Sequence, residues 1–222
     1  TDTPLPAAVA ADTVPAADSA GLGSRVAVHQ DGVLWFLTVN GEPYFIRGAG
    51  GNDRLDLLRQ SGGNSIRTWG ADNQDALLNQ ARRESVTVTI GIWLGHKEHG
   101  FSYANDTAVR GQYEKSIRHI ARYRNHPALL MWAVGNEMEM GLDAGDSRVW
   151  VAVNDIARTI HELDPYHPVM TVVAEISDTK IRSLNTWCPD LDLLGVNSYG
   201  GCRSLPSRLR KAGWLKPYVV TE

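Results

Sequence analysis

From Tyr44 to Glu222 one pattern recurs: seven short apolar runs, with an amphipathic stretch between each and the next. The runs occupy 44–48 (YFIRG), 64–70 (NSIRTWG), 86–95 (VTVTIGIWLG), 128–135 (ALLMWAVG), 168–175 (PVMTVVAE), 191–199 (LDLLGVNSY) and 216–222 (KPYVVTE). From the third onward they are apolar at nearly every position. Strands read this way when both faces are buried, as in a parallel sheet. The intervening segments carry the helical period. Val109, Tyr113, Ile117, Ile120 and Tyr123 recur at spacings of four, four, three and three, which is one apolar helix face. Shorter segments holding Leu55, Leu57 and Leu58, then Leu77, Leu78 and Ala81, then Val149, Val153, Ile156, Ile160 and Leu163, read as further helices, as do stretches near 178–186 and 204–212.

Repeated strand–helix alternation leaves a doubly wound sheet or a barrel. No GxGxxG or GxxxxGK[ST] follows the first run, so the nucleotide-binding version loses support. The polar residues that stand out are Arg67, His96, Asn136, Glu137, Glu175, Asn197, Tyr199 and Glu222, each at the C-terminal end of a run. That end carries the active site of a (β/α)8 barrel. The expected fold is therefore α/β, a (β/α)8 TIM barrel with seven of its eight strands in this chain. Asp31-Gly32 and Asn40-Gly41 are turn signals that place a β-hairpin before it.

Residues 1–24 are rich in Ala, Pro, Asp and Ser and have no helical or strand period, so they read as a disordered leader or linker, and 25–222 as the barrel. The leader lacks the charged start and apolar core of a secretory signal. The expectation is an extracytoplasmic protein, whose cleaved signal or anchor lies upstream. A net charge of −3 scattered along the chain argues against nucleic-acid binding, which needs a basic stripe. No apolar run approaches the about 20 residues of a membrane helix, so no membrane insertion is expected. Two cysteines are too few for a zinc site. Cys188 falls at one end of the expected barrel and Cys202 at the other, about 17–20 Å apart, too far for a disulfide. Two free thiols are expected, with no metal and no cofactor.

Glu137 and Glu222 lie 85 residues apart, yet each ends an apolar run of one sheet. In a barrel the fourth and seventh strands aim at a common cleft. Two carboxylates facing each other there suit glycoside hydrolysis. One protonates the leaving oxygen and the other attacks the anomeric carbon, with retention when the gap is about 5–5.5 Å. The Asn136 amide can bond a sugar hydroxyl beside the reacting carbon. Arg67 can hold one carboxylate ionised, or form an ion pair at the barrel mouth.

These segments resemble the clan A glycoside hydrolases, especially the catalytic barrel of glycoside hydrolase family 2. "RNHPALLMWAVGNEMEMG" is similar to the family's fourth-strand segment and "KPYVVTE" to its seventh; "VNGEPYFIRGAG", "NSIRTWG" and "GVNSYGG" resemble its barrel entry, second and sixth strands. The resemblance spans about residues 30–222. It implies Glu137 as acid/base, Glu222 as nucleophile, Asn136 as a substrate contact, and Arg67 and Tyr199 as residues that position Glu222. The family's jelly-roll and immunoglobulin-like domains and its eighth strand have no counterpart in the sequence, so the chain is expected to be part of a longer protein.

Other signals are weaker. His96 and His99 in "HKEH" sit at i and i+3 with no third metal ligand, and a substrate loop is the better reading, with His96 on a sugar hydroxyl. Trp69 and Trp93 lie at strand ends, where they either stack on a sugar or pack in the core. Asn197 joins the substrate-binding candidates. Phe101 and Tyr103 read as a rim subsite, Glu139 as solvated or a rim contact, and Glu175 as the rival second carboxylate. The expected function is a retaining glycosidase acting on a β-linked oligo- or polysaccharide. A transglycosylase using the same residues and a non-catalytic carbohydrate-binding barrel are the alternatives.

Overall fold

The computed structural model describes residues 23–142 and 146–222. The leader expected over 1–24 lies outside the described residues except for Gly23 and Ser24.

The described chain begins with an antiparallel sheet of β1 (Val26–Asp31), β2 (Leu34–Val39) and β3 (Glu42–Tyr44). Gly32 opens the first turn at φ 58°, and Asn40 and Gly41 both take positive φ in the second, the backbone that tight hairpin turns require. Seven parallel strands follow: β4 (Gly48–Gly50), β5 (Ser65–Arg67), β6 (Thr87–Ile92), β7 (Leu129–Asn136), β8 (Val169–Ala174), β9 (Leu193–Asn197) and β10 (Tyr218–Val220). They pair in simple chain order from β4 to β10. Among the described residues six α-helices lie between successive strands: α1 (Leu55–Gln60), α2 (Asp75–Arg83), α3 (Asp106–Tyr123), α4 (Arg148–Leu163), α5 (Asp178–Trp187) and α6 (Leu205–Ala212). The sheet is a curled half-barrel, an incomplete (β/α)8 TIM barrel.

The first barrel strand departs from expectation. The run at 44–48 is largely loop, Phe45 is exposed, and β4 is the glycine-rich Gly48–Gly50. Tyr44 instead ends the hairpin and donates its hydroxyl to Asn64 O at 2.8 Å, and with Ile46 it packs against the inner core at the barrel end.

Period-two alternation divides the continuous apolar strands between two cores. Trp132 and Val134 of β7, Val173 of β8, and Leu194 and Val196 of β9 face the helices, where they meet Ile120, Val153, Ile156, Ile160, Ile181, Leu184 and Leu209. Met131 and Ala133, Met170 and Val172, and Leu193 face the barrel interior. Val26 and Val39 of the hairpin join that inner cluster, so the hairpin closes the barrel at the N-terminal ends of its strands. The attachment is polar as well. Val26 N–H donates to Tyr166 O at 2.8 Å, and Ser24 Oγ donates to Leu129 O at 2.6 Å.

Ser24 Oγ also lies 3.0 Å from His167 Nε2, while His167 Nδ1 lies 2.8 Å from Asp164, and Trp132 Nε1 donates to Asp164 Oδ2 at 2.8 Å. All four side chains are buried. This Ser-His-Asp order sits beneath the sheet, sealed from solvent, so it is a polar staple. Cys188 is buried, with its thiol pushed up to about 12 by burial, and Cys202 is exposed; both are free.

Replacing Asp164 by Ala leaves the Trp132 and His167 donors buried and unpaired. Urea unfolding at neutral pH should show a loss of about 3 kcal/mol. An unchanged midpoint would mean that the staple carries no stability.

Candidate active site

The loops that follow the C-terminal ends of β5, β6, β7, β9 and β10 meet at one mouth. β7 delivers the central residues through an irregularity. Its register against β8 shifts between Ala133 and Asn136. Gly135 lies at φ 74°, where a Cβ would stand 2.5 Å from Met138 Cγ, so only glycine fits. Glu137 lies at φ 53°. A side chain in this left-handed region costs about 1–2 kcal/mol, and the cost is met by neighbours that hold the backbone. Glu137 N–H donates to Val172 O at 2.7 Å, the last strand-like bond to β8.

The polar groups form one connected network. Asn197, fully buried at the end of β9, donates to Glu137 Oε1 at 2.7 Å and to Asn136 Oδ1 at 3.3 Å, and accepts from Thr221 Oγ1 at 2.7 Å. Arg67, buried at the end of β5, donates to Asn136 Oδ1 at 2.6 Å and to Glu222 Oε1 at 3.0 Å. Trp69 Nε1 donates to the same Glu222 oxygen at 2.8 Å, and Tyr199 donates its hydroxyl to Glu222 Oε2. Each Glu222 oxygen therefore has a donor, and the two glutamates are linked through Asn197, Asn136 and Arg67.

Burial pushes the Glu222 carboxyl up, but the hydrogen bonds from Tyr199, Trp69 and Arg67, with the Arg67 charge, outweigh it and leave the group below its ordinary range. Burial pulls the Arg67 guanidinium down, against the Glu222 hydrogen bond and the charges of Glu222 and Glu137.

The remaining candidates divide. His96 is buried behind the mouth, with its ring stacked on Trp93 at 5.0 Å and 5.4 Å from the His99 ring. Its Nε2 has no protein partner, and burial and the His99 charge hold the imidazole below its ordinary value, against the charges of Glu98 and Glu137. Trp93 and Trp69 are partly exposed, at 48% and 38%, so neither belongs to the core. The hydrogen bond from Trp69 to Glu222 gives it a role beyond the expected stacking, one that no periodicity reveals. Among the described residues, no cluster of three or more His, Cys, Asp or Glu is arranged to hold a metal.

Three expectations are corrected. Tyr103 is buried, donates to Gly95 O at 2.9 Å and packs against Phe101, so this pair is core and not a rim subsite. Glu139 is not solvated: its side chain is 9% exposed and pairs with Lys180 at 2.8 Å. Glu175 is no rival to Glu222, because Ser198 at 2.7 Å and Arg208 at 2.9 Å occupy its two oxygens away from the network. Thr221, which fixes Asn197, escaped sequence reasoning. Its signal was adjacency to Glu222.

A family model for the TIM barrel domain of glycosyl hydrolases family 2 matches residues 52–222. The β-glucuronidase of Rattus norvegicus is 28% identical over 182 residues, covering 72% of this chain and 26% of that protein. The β-glucuronidase of Paenibacillus borealis is 25% identical over 218 residues, covering 83% and 36%. This chain thus spans between about a quarter and about a third of these curated relatives. The solved structure of a GH2 β-galacturonidase from Eisenbergiella tayi bound to galacturonate aligns with a TM-score of 0.68 at 18% identity, over 89% of this chain and 38% of that one, a likeness of fold.

The depressed Glu222 carboxyl has a defined consequence. A folded value below the unfolded one contributes stability above the ordinary carboxylate range, lost as pH falls through the folded value. Tyr199→Phe removes a donor to the ionised form. A carbon-13 titration of the Glu222 carboxyl should then move to higher pH, and no movement would mean that the Tyr199 contact is electrostatically idle.

Proposed function

The chain belongs to glycosyl hydrolases family 2 as its TIM-barrel domain, and on that premise we propose that the whole protein is a retaining glycosidase of β-linked sugars, with Glu137 as acid/base and Glu222 as nucleophile. β-Glucuronides are the first substrates to consider, because the curated relatives are β-glucuronidases.

One observation carries the reading: two glutamates from separate strand ends are joined by Asn197, Asn136 and Arg67 at one mouth, each in a different electrostatic setting. Glu222, bonded by three donors and beside a guanidinium, is ionised at neutral pH, the state a nucleophile needs. Among the described residues Glu137 has no ion-pair partner, and it accepts from the neutral Asn197. In the first step a Glu222 oxygen bonds to the anomeric carbon while the Glu137 carboxylic acid gives its proton to the departing glycosidic oxygen. In the second, the Glu137 carboxylate takes a proton from water, and the water oxygen displaces Glu222 with net retention. Asn136 spends its carbonyl on Arg67 and Asn197, which leaves its NH2 to donate to a sugar hydroxyl. Trp69 and Trp93, both partly exposed at the mouth, supply aromatic surface for the sugar.

The test uses the full-length protein against 4-nitrophenyl β-glucuronide, β-galacturonide, β-glucoside and β-galactoside. Proton NMR of the first product should show the β-anomer; an α-anomer would make the enzyme inverting and remove Glu222 as nucleophile. Glu137→Gln should lower kcat/KM on unactivated glycosides by about 10²–10⁴-fold and spare 2,4-dinitrophenyl glycosides in the glycosylation step. Normal cleavage of unactivated glycosides by this variant would overturn the acid/base assignment.

A further inference from the structure

The turn that carries Glu137 raises a question that its own backbone does not answer. Gly135 and Glu137 both take the left-handed conformation, and β7 ends between them. β8 runs on to Ala174 beyond its last pairing with β7, so its last amide on the β7 side has lost its strand partner. Glu175 N–H donates to Asn197 O on β9 at 2.9 Å, which turns the preceding Ala174 N–H toward β7. No β7 carbonyl meets it. The Glu139 carboxylate does, at 2.7 Å, and so stands in for the missing strand.

The same Glu139 oxygen accepts from Lys180 Nζ at 2.8 Å. Lys180 lies in the first turn of α5, whose N-terminus is capped by Ser177, with the Ser177 Oγ accepting from Lys180 N–H at 3.3 Å. Its ammonium also donates to Ala174 O and, at 3.3 Å, to Glu175 O. One ammonium thus ties α5 to the end of β8 and to the turn after β7. The pair is largely enclosed, with side-chain exposures of 9% for Glu139 and 24% for Lys180. Enclosure strengthens its geometry, because an ammonium or carboxylate left alone there loses its compensation. Met140 N–H donates back to Glu137 O at 3.1 Å, which closes the turn on the residue it presents.

We propose that Glu139 and Lys180 are positioning residues for Glu137: their ion pair locks the left-handed turn onto β8 and so sets where the acid/base carboxyl stands over the cleft. The inference rests on the reading of Glu137 as acid/base. Neither residue touches substrate. The pair acts by denying Glu137 alternative backbone positions, and a proton donor displaced by about 1 Å loses much of its effect. Burial pushes the Glu139 carboxyl up against the opposing pull of Lys180, which fits a group held for geometry at electrostatic cost.

The test uses the full-length protein with Glu139→Gln, Lys180→Met and Lys180→Arg, each measured on the phenyl and the 2,4-dinitrophenyl β-glycoside of the sugar selected by the panel above. The dinitrophenyl substrate needs no proton in the glycosylation step, so its kcat/KM reports folded enzyme with a working nucleophile. Glu139→Gln and Lys180→Met should lower kcat/KM on the phenyl glycoside by about 10–100-fold and on the dinitrophenyl glycoside by less than about 3-fold. Lys180→Arg, which keeps the charge, should recover most of the loss. Equal losses on both substrates would reduce the pair to a fold-stabilising contact and overturn the proposal, as would no loss on either. Glu137→Ala run alongside separates the two failures. Leaving-group dependence in Glu137→Ala without it in the pair variants overturns the clamp alone. Its absence in Glu137→Ala overturns the acid/base reading and the clamp with it.

Discussion

The contact between Arg67 and Glu222 summarises the geometry on which this structure rests. β5 and β10 are five steps apart in the sheet. In a flat sheet, five steps at the usual spacing span about 24 Å, well beyond the combined reach of an arginine and a glutamate. Their 3.0 Å separation therefore requires the sheet to curl until its distant strand ends face each other. The curl follows from strand twist and from the helices packed along the outer face. The longer site contacts use it as well: Asn197 reaches two strands over to Glu137, and Trp69 reaches across the mouth to Glu222.

A buried guanidinium is an expensive centre for such a network. Arg67 loses hydration, and its charge is retained because two oxygens, one amide and one carboxylate, accept from it. Its Nε is buried without a protein partner. The arrangement tightens the mouth in exchange. Asn136 cannot rotate without giving up Arg67, and Asn197 cannot move without giving up Asn136, Glu137 and Thr221. Side chains held this way approach the reacting positions already oriented, the condition under which electrostatic stabilisation of a transition state is large.

The opposite end of the barrel has a different task. The hairpin contributes Val26 and Val39 to the inner core, and the Ser24–His167–Asp164–Trp132 staple fastens its entry to the sheet. The hydrogen-bond network that joins Glu137 to Glu222 lies at the other end, at the strand C-termini, where Glu137 and Glu175 take left-handed backbone. The division suits a scaffold whose chemistry sits at one end only.

Much of this was legible in the chain. Continuous apolar runs specify strands buried on both faces, and the helical period between them specifies parallel order, because both signals are local. A carboxylate directly after such a run must emerge at the sheet's rim, which is why Glu137 and Glu222 stood out. The first barrel strand was misplaced because Tyr44 and Ile46 are apolar for a reason outside their own segment: they pack against the inner core. Tyr103 and Glu139 were misread, and the Trp69 bond to Glu222 was missed, for the same cause, since the surroundings of a loop side chain come from other strands and helices. By itself the sequence determined the alternating βα order, the strand ends and the residues standing on them. Only the tertiary structure decided which of those residues touch. It brought Glu222 to Arg67 and Trp69 because the sheet's curl, and no local pattern, sets the distances between strand ends, and it paired Glu139 with Lys180 and Glu175 with Arg208 because each helix packs beside the end of a neighbouring strand.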